Sequence, residues 1–202
     1  MKKLILIHSI IVTLAVSSCS EMKNNTISKQ DSLAIDSTLA LLKSLNDSVE
    51  HAWKRMIASD DQKIADMKRL LLEISYCKTY NAALHDSLTK AVETLAQSRY
   101  NQETMSVSKN IDDYDHKTNL LISRIMYLCN QTPELSSHPI AERLITDITT
   151  ADNEVWRYRK VYDEWAMQYN EVLVKNEELL KKSVKEFSAL KKKNVFTIGS
   201  AS

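Results

Sequence analysis

The sequence predicts an all-α protein: an antiparallel up-down four-helix bundle with two long outer helices, the first and fourth, and two shorter ones, the second and third. Three observations predict it. The 202-residue chain holds one glycine, Gly199, and two prolines, Pro133 and Pro139, so residues 20–132 contain neither. A sheet protein needs turn residues of those kinds at short intervals. Apolar residues recur at steps of three and four over long windows, which is the period of a helix with one buried face. The few interruptions are unevenly spaced and divide the chain into long, short, short and long segments.

The amino-terminal segment stands apart from the bundle. Lys2 and Lys3 precede an apolar run from Leu4 to Val16 that ends at the small residues Ser17 and Ser18, the layout of a secretory signal peptide over residues 1–18. The run is shorter than the roughly 20 apolar residues that a membrane-spanning helix needs. Val16, Ser17, Ser18 and Cys19 resemble the lipobox of bacterial lipoproteins, which implies cleavage before Cys19 and palmitate-type acylation of the new terminus. At ~0.8 kcal/mol per buried CH₂, two acyl chains anchor stably where one does not. Residues 19–30 are then a lipidated, flexible tether, 31–195 the bundle and 196–202 a disordered tail. Ser20 and Glu21, with no Asp directly after Cys19, fit a lipid-anchored envelope protein of the outer membrane, with its bundle in the periplasm or at the cell surface. The full chain has 27 Lys and Arg against 26 Asp and Glu; losing Lys2 and Lys3 leaves 25 against 26, a net of −1. That balance excludes the basic footprint of a nucleic-acid binder.

The first helix runs from about residue 30 to 79, on the stripe Ile35, Leu39, Leu42, Val49, Trp53, Met56, Ile64, Met67, Leu71 and Ile74, with Asn46 and Asp60 as polar interruptions. A second, from about Leu84 to Arg99, carries Leu88, Val92 and Leu95. "NQETMSVSKN" at 101–110 reads as a connection, and Ile111, Tyr114, Thr118, Leu121, Ile125 and Leu128 mark the third helix. Pro133 disfavours helical geometry at Thr132, and Pro139 fits the first turn of a new helix. The fourth meets no breaker before Gly199; its stripe is Leu144, Ile148, Val155, Arg159, Tyr162, Ala166, Tyr169, Leu173 and Leu180. Glu171 with Lys175, Glu177 with Lys181 and Glu178 with Lys182 add i,i+4 pairs worth ~0.3 kcal/mol each. Long helices of roughly 75–80 Å and short ones of about 30 and 40 Å place the second and third against the upper half of the first. The fourth returns to the membrane, bringing Lys181, Lys182, Lys185 and Lys191 to Lys193 toward lipid head groups or, more blandly, to a helix C-terminal dipole.

"PEL" at 133–135 followed by "DNEVWRYRKVYDEWAMQYN" at 152–170 resembles the carboxyl-terminal half of the LemA family. Asp152, Asn153, Val155, Arg159, Tyr162, Tyr169 and Asn170 fall at matching offsets, with Asp163 replacing the first Asn of a repeated Tyr-Asn pair. "VEHAW" at 49–53 and "AVETLAQSR" at 91–99 resemble the family's first two helices, whereas "QKIADMKRLL" at 62–71 lacks its proline-containing motif. The resemblance implies a membrane-attached helical bundle with no catalytic reaction assigned to it.

Arg159 on an apolar stripe is the most unusual residue, because a buried charge requires a carboxylate or carbonyls; Asp60 and Asp112 or Asp113 are the candidate partners. It is read either as a register-setting ion pair or, with Tyr162, Tyr169, Asn170 and Asn153, as a polar site for an anionic ligand. Tyr162 and Tyr169 lie one heptad apart, as core tyrosines with bonded hydroxyls do. No catalytic residue, metal site or cofactor is expected: the histidines lack zinc spacing, and "DDYDHK" at 112–117 lacks a calcium loop's glycine. Cys77 and Cys129 form a candidate disulfide, or are two buried thiols acting as small apolar groups. The chain therefore reads as a membrane-anchored, non-catalytic interaction or scaffold protein with a protein partner and no nucleic acid. The alternative is a binding module for a small anionic or lipid-like ligand inside the bundle.

Overall fold

A long amphipathic helix, α1 (Lys29–Ser75), forms the spine of the computed structural model, which describes residues 28–182, 187 and 189–196. The expected signal peptide, Cys19 and most of the tether, Lys185 and the tail beyond 196 lie outside the described residues. Among the described residues all regular structure is helical. At 47 residues, α1 extends roughly 70 Å. Ser28 caps it, its hydroxyl accepting the Asp31 N–H at 3.0 Å, and Asp31 adds a negative charge to the first turn, where the helix dipole favours one. Helix α2 (Ala82–Leu95) is capped by the Asn81 side chain on the Leu84 N–H. Helix α3 (Ser108–Asn130) is followed by a single 3₁₀ turn over Pro133–Ser137. Helix α4 (Ala141–Lys175) leads to a short α5 (Glu177–Leu180).

Rising numbers in α1 meet falling ones in α4 and just after α5: Asp31 pairs with Lys182, Leu42 shares a cluster with Leu173, Trp53 packs on Tyr162 and Lys63 pairs with Asp152. This antiparallel pair is the dominant interface, and α2 and α3 cover its upper half. The core accordingly falls into two parts. A large upper cluster spans Val49 to Ile74 of α1 with the buried faces of α2, α3 and α4, and a small lower one joins Leu42, Leu45, Tyr169, Leu173 and Leu180.

The fourth helix is shorter than its stripe predicts. At 35 residues it reaches roughly 52 Å, because Asn176 turns its amide onto the Val172 carbonyl at 2.8 Å and its backbone leaves the helical region. Asn competes with the backbone in this way, which makes it a poor interior helix residue. After α5 the chain doubles back, and residues 190–196 run as a non-helical strap up the α1/α4 pair. Lys193 lies 3.7 Å from Glu50, roughly 28 Å along α1 from Asp31. Lys191 to Lys193 therefore do not sit at the base of the bundle with Lys182. The expected boundary at 195 also moves: Phe196, placed in a disordered tail by the sequence, is 4% exposed in the upper core.

Candidate functional site

Two constellations meet at the middle of the bundle. The first is a polar seam. On α1, Met56, Asp60, Lys63 and Met67 share a face at helical spacing, so Asp60 and Lys63 enter the core between two methionines. Lys63 is 3% exposed and its ammonium bonds Asp60 at 3.4 Å and Asp152 of α4 at 3.1 Å. Asp60 also receives Arg99 at 2.6 Å and the Tyr114 hydroxyl. Arg99 reaches on to Asp61 at 2.7 Å.

Arg159 completes the seam with a partner different from the three expected. Its guanidinium grips Asp115 of α3 with two bonds, 2.6 and 2.7 Å, and donates to the Tyr100 hydroxyl at 3.0 Å. Asp115 is selected over Asp112 and Asp113 by the helix period: it follows Ile111 by four residues and precedes Thr118 by three, whereas 112 and 113 are exposed. Burial opposes the Arg159 charge, but the bonded Asp115 and Tyr100 overcome it and raise its pKa. Arg99 is raised in the same way by Tyr114, Asp61 and Asp60 against burial. Burial and the Asp60 carboxylate raise the Tyr114 phenol. Between these groups lies a cavity of about 210 Å³ lined by Asp60, Lys63, Arg99, Asp115, Asp152 and Arg159. The Nε of Arg159 is buried without a hydrogen-bond partner.

The second constellation is aromatic. Phe196 sits among Trp53, Tyr100 and Tyr162, with ring centroids 5.6–6.4 Å apart, and the Arg159 guanidinium lies 5.1 Å over its ring. Most contacts are edge-to-face, the arrangement the ring quadrupole favours. The strap is held by the residues of the repeated tyrosine motif. Asn170 donates to the Lys193 carbonyl at 2.8 Å and accepts its N–H at 2.7 Å, and Asp163 accepts the Phe196 N–H at 2.8 Å. Lys193 also places its ammonium 5.4 Å over the Tyr169 ring.

The five residues expected as one polar site are thus separated. Arg159 belongs to the seam and Tyr162 to the aromatic cluster, where its buried hydroxyl makes no hydrogen bond, contrary to the bonded core tyrosine expected. Tyr169 and Asn170 serve the strap, and Asn153 is exposed. Sequence reasoning missed Lys63, Arg99, Tyr100 and Asp115. Lys63 was accessible to it, lying three residues after an already noticed Asp60. Cys77 and Cys129 are free thiols: Cys77 points its sulfur at the Glu73 carbonyl and at His138, 3.8 and 3.6 Å away, rather than toward Cys129. Among the described residues no group of three His, Cys, Asp or Glu side chains has a geometry for a metal ion.

Asp163 gives the strap a pH signature. Burial pushes its carboxyl up to about 6, against the Phe196 N–H and the Arg159 charge. The folded state then holds a proton that the unfolded chain releases nearer 3.8, so this group favours folding below pH ~4 and the advantage is lost as pH rises through 6. Asp31, Glu73 and Asp113 are shifted down by their partners and act in the opposite sense at lower pH. Urea titrations from pH 4 to 7 should show stability falling across this window in the native chain, and Asp163→Asn should remove that part of the slope.

The model of the LemA family matches residues 55–202. No curated protein and no solved structure matches the chain. The match covers the seam, the strap and the aromatic cluster apart from Trp53, which lies just before it.

Proposed function

The chain belongs to the LemA family, and from that premise we propose that it is a non-catalytic scaffold of the cell envelope, held at a membrane by acyl chains on Cys19. The observation that carries the reading is that the buried charges neutralise one another. Lys63, Arg99 and Arg159 each hold a carboxylate within 3.1 Å. Such a set fixes helix register and leaves little for a ligand to do. The cavity among them, about 210 Å³, is smaller than the ~300 Å³ at which pockets for drug-sized ligands begin. The outer face of α4 has the opposite character: Trp156, Met167 and Val174 are 60, 53 and 49% exposed, side chains of the kind that anchor protein interfaces. Anchoring through Cys19 accords with the short apolar leader, and no helix among the described residues is long and apolar enough to cross a membrane.

A second reading is supported by one atom. The Arg159 side chain borders the cavity and its buried Nε makes no hydrogen bond, so a small carboxylate or phosphate that displaced Asp115 and turned the guanidinium would find a spare donor. One experiment addresses both readings. Cells producing the chain are fed an alkyne fatty acid, and photoreactive residues are placed at Trp156 and Met167 and at Asn119, which also lines the cavity. Label should appear on the native chain and vanish in Cys19→Ala, with the same protein captured from positions 156 and 167. An unlabelled native chain overturns the anchor, and recovery of a small anion or lipid at position 119, with no protein at the other two, replaces the scaffold by the ligand module.

A further inference from the structure

The upper end of α1 carries a second cluster, remote from the seam. Glu73 and Cys77 are one helical step apart, and the 3₁₀ turn after Pro133 delivers His138 to them. That turn is fixed to the end of α1 by Glu134, whose carboxylate accepts the Lys78 N–H at 2.7 Å, and by the buried Leu135. Nδ1 of His138 lies 3.1 Å from the Glu73 carboxylate, and Nε2 lies 3.6 Å from the Cys77 sulfur. Glu73 is itself held by Arg69 at 3.1 Å.

The partners decide the tautomer. His138 first, then Arg69, holds the Glu73 carboxyl below the usual carboxylate range, so Glu73 is ionised and can only accept. Nδ1 of His138 therefore carries the proton, which leaves the Nε2 lone pair facing the thiol. Burial, with the carboxylates of Glu134 and Glu73, pushes the Cys77 thiol up. The sulfur is then protonated at rest and needs a base to become nucleophilic, the order of events in nucleophile–base–orienter triads.

We propose that Cys77 is a peroxide-reactive thiol, with His138 as its base and Glu73 as the residue that positions the imidazole. In the step, the S–H proton passes to Nε2 and the sulfur attacks the terminal oxygen of a small hydroperoxide. An S–O bond forms as the O–O bond breaks. The leaving alkoxide, or hydroxide from hydrogen peroxide, takes the proton back from Nε2. Sulfur is oxidised by two electrons to a sulfenic acid and the peroxide is reduced to an alcohol or water. Acyl transfer does not suit the site, because the nearby backbone donors are already used. Tyr76 N–H bonds the Glu73 carbonyl, Cys77 N–H the Ile74 carbonyl and Lys78 N–H the Glu134 carboxylate, so no pair remains for an oxyanion. Cys77 is 5% exposed, a restriction that favours a two-heavy-atom oxidant over bulky ones.

Cys129 is the internal control. It is more exposed, has no basic side chain bonded to it, and burial pushes its thiol up to about 11. The full chain is treated with hydrogen peroxide, sulfenic acid is trapped with dimedone, and the Cys77 and Cys129 peptides are quantified by mass spectrometry. Cys77 should be trapped faster than Cys129, and His138→Gln should slow Cys77 on the order of 10²-fold while leaving the Cys129 rate unchanged. Glu73→Gln should slow Cys77 by a smaller factor with the Cys129 rate unchanged, and Glu73→Asp, which keeps a carboxylate for Nδ1, should restore part of the loss. A Cys129 rate equal to that of Cys77, or a Cys77 rate within ~3-fold of native in His138→Gln, overturns the proposal. If His138→Gln loosens the fold, the Cys129 rate rises and reveals it; the Glu73 variants then decide, and a Cys77 rate in Glu73→Gln equal to the native one is equally fatal.

Discussion

Phe196→Ala lowers the free energy of unfolding by about 3–4 kcal/mol, in the range of buried phenylalanine truncations. The ring is 4% exposed and touches three aromatic side chains from α1, α4 and the α2–α3 connection, so its removal opens a cavity where three elements meet. The loss is larger than the ring's burial alone, since Arg159 also loses the face it stacks on. Two side chains then hold a strap with no anchor: Asn170 and Asp163 keep their bonds to its backbone only while residues 193–196 stay in place. Urea unfolding followed by circular dichroism should show a lower midpoint at an unchanged slope. Phe196→Leu, which refills most of the volume, should cost about 1–1.5 kcal/mol. A Phe196→Ala midpoint equal to the native one would mean that the carboxyl terminus is dispensable, as the sequence alone suggests.

That contrast shows which parts of the fold were legible. Helical class, the long–short–short–long order and most of the buried stripe follow from period and from the lack of glycine and proline, because periodic burial writes itself into residue spacing. Lys63 and Asp115 are also in phase with their stripes, and reading Asp60 only as an interruption and a candidate Arg159 partner hides the seam they build. The strap is different in kind. Its residues are held by Asn170 and Asp163 bonding to backbone, and a backbone partner leaves no trace in the identity of the residue it belongs to. The same holds for the end of α4 at Asn176, where one amide outweighs the three Glu–Lys pairs expected to carry the helix onward. The Cys77–His138–Glu73 cluster was illegible for a third reason: it joins residues 61 and 65 positions apart, through a turn that only the folded chain places.

Asp60→Ala is expected to cost about 3 kcal/mol, the low end of the range for breaking a buried ion pair. Its carboxylate is 10% exposed and takes bonds from Lys63, Arg99 and the Tyr114 hydroxyl. Without it Arg99 keeps Asp61, which is 59% exposed and well solvated, while the 4%-exposed Lys63 ammonium keeps Asp152 alone. The cost then falls on a buried cation that cannot regain its hydration. Lys63→Met provides the contrast. It removes the cation from between Met56 and Met67, leaves Asp60 with Arg99 and Tyr114, and frees Asp152 to face water, so its cost should stay below about 1 kcal/mol. In the Asp60→Ala/Lys63→Met double variant the ammonium left with one carboxylate is absent, and most of the Asp60→Ala penalty should disappear, a coupling of about 2 kcal/mol read from denaturation midpoints. Additive costs would show that Asp152 and entering water satisfy Lys63 without Asp60, as in a solvated ligand site, and would move the balance from scaffold toward binding module.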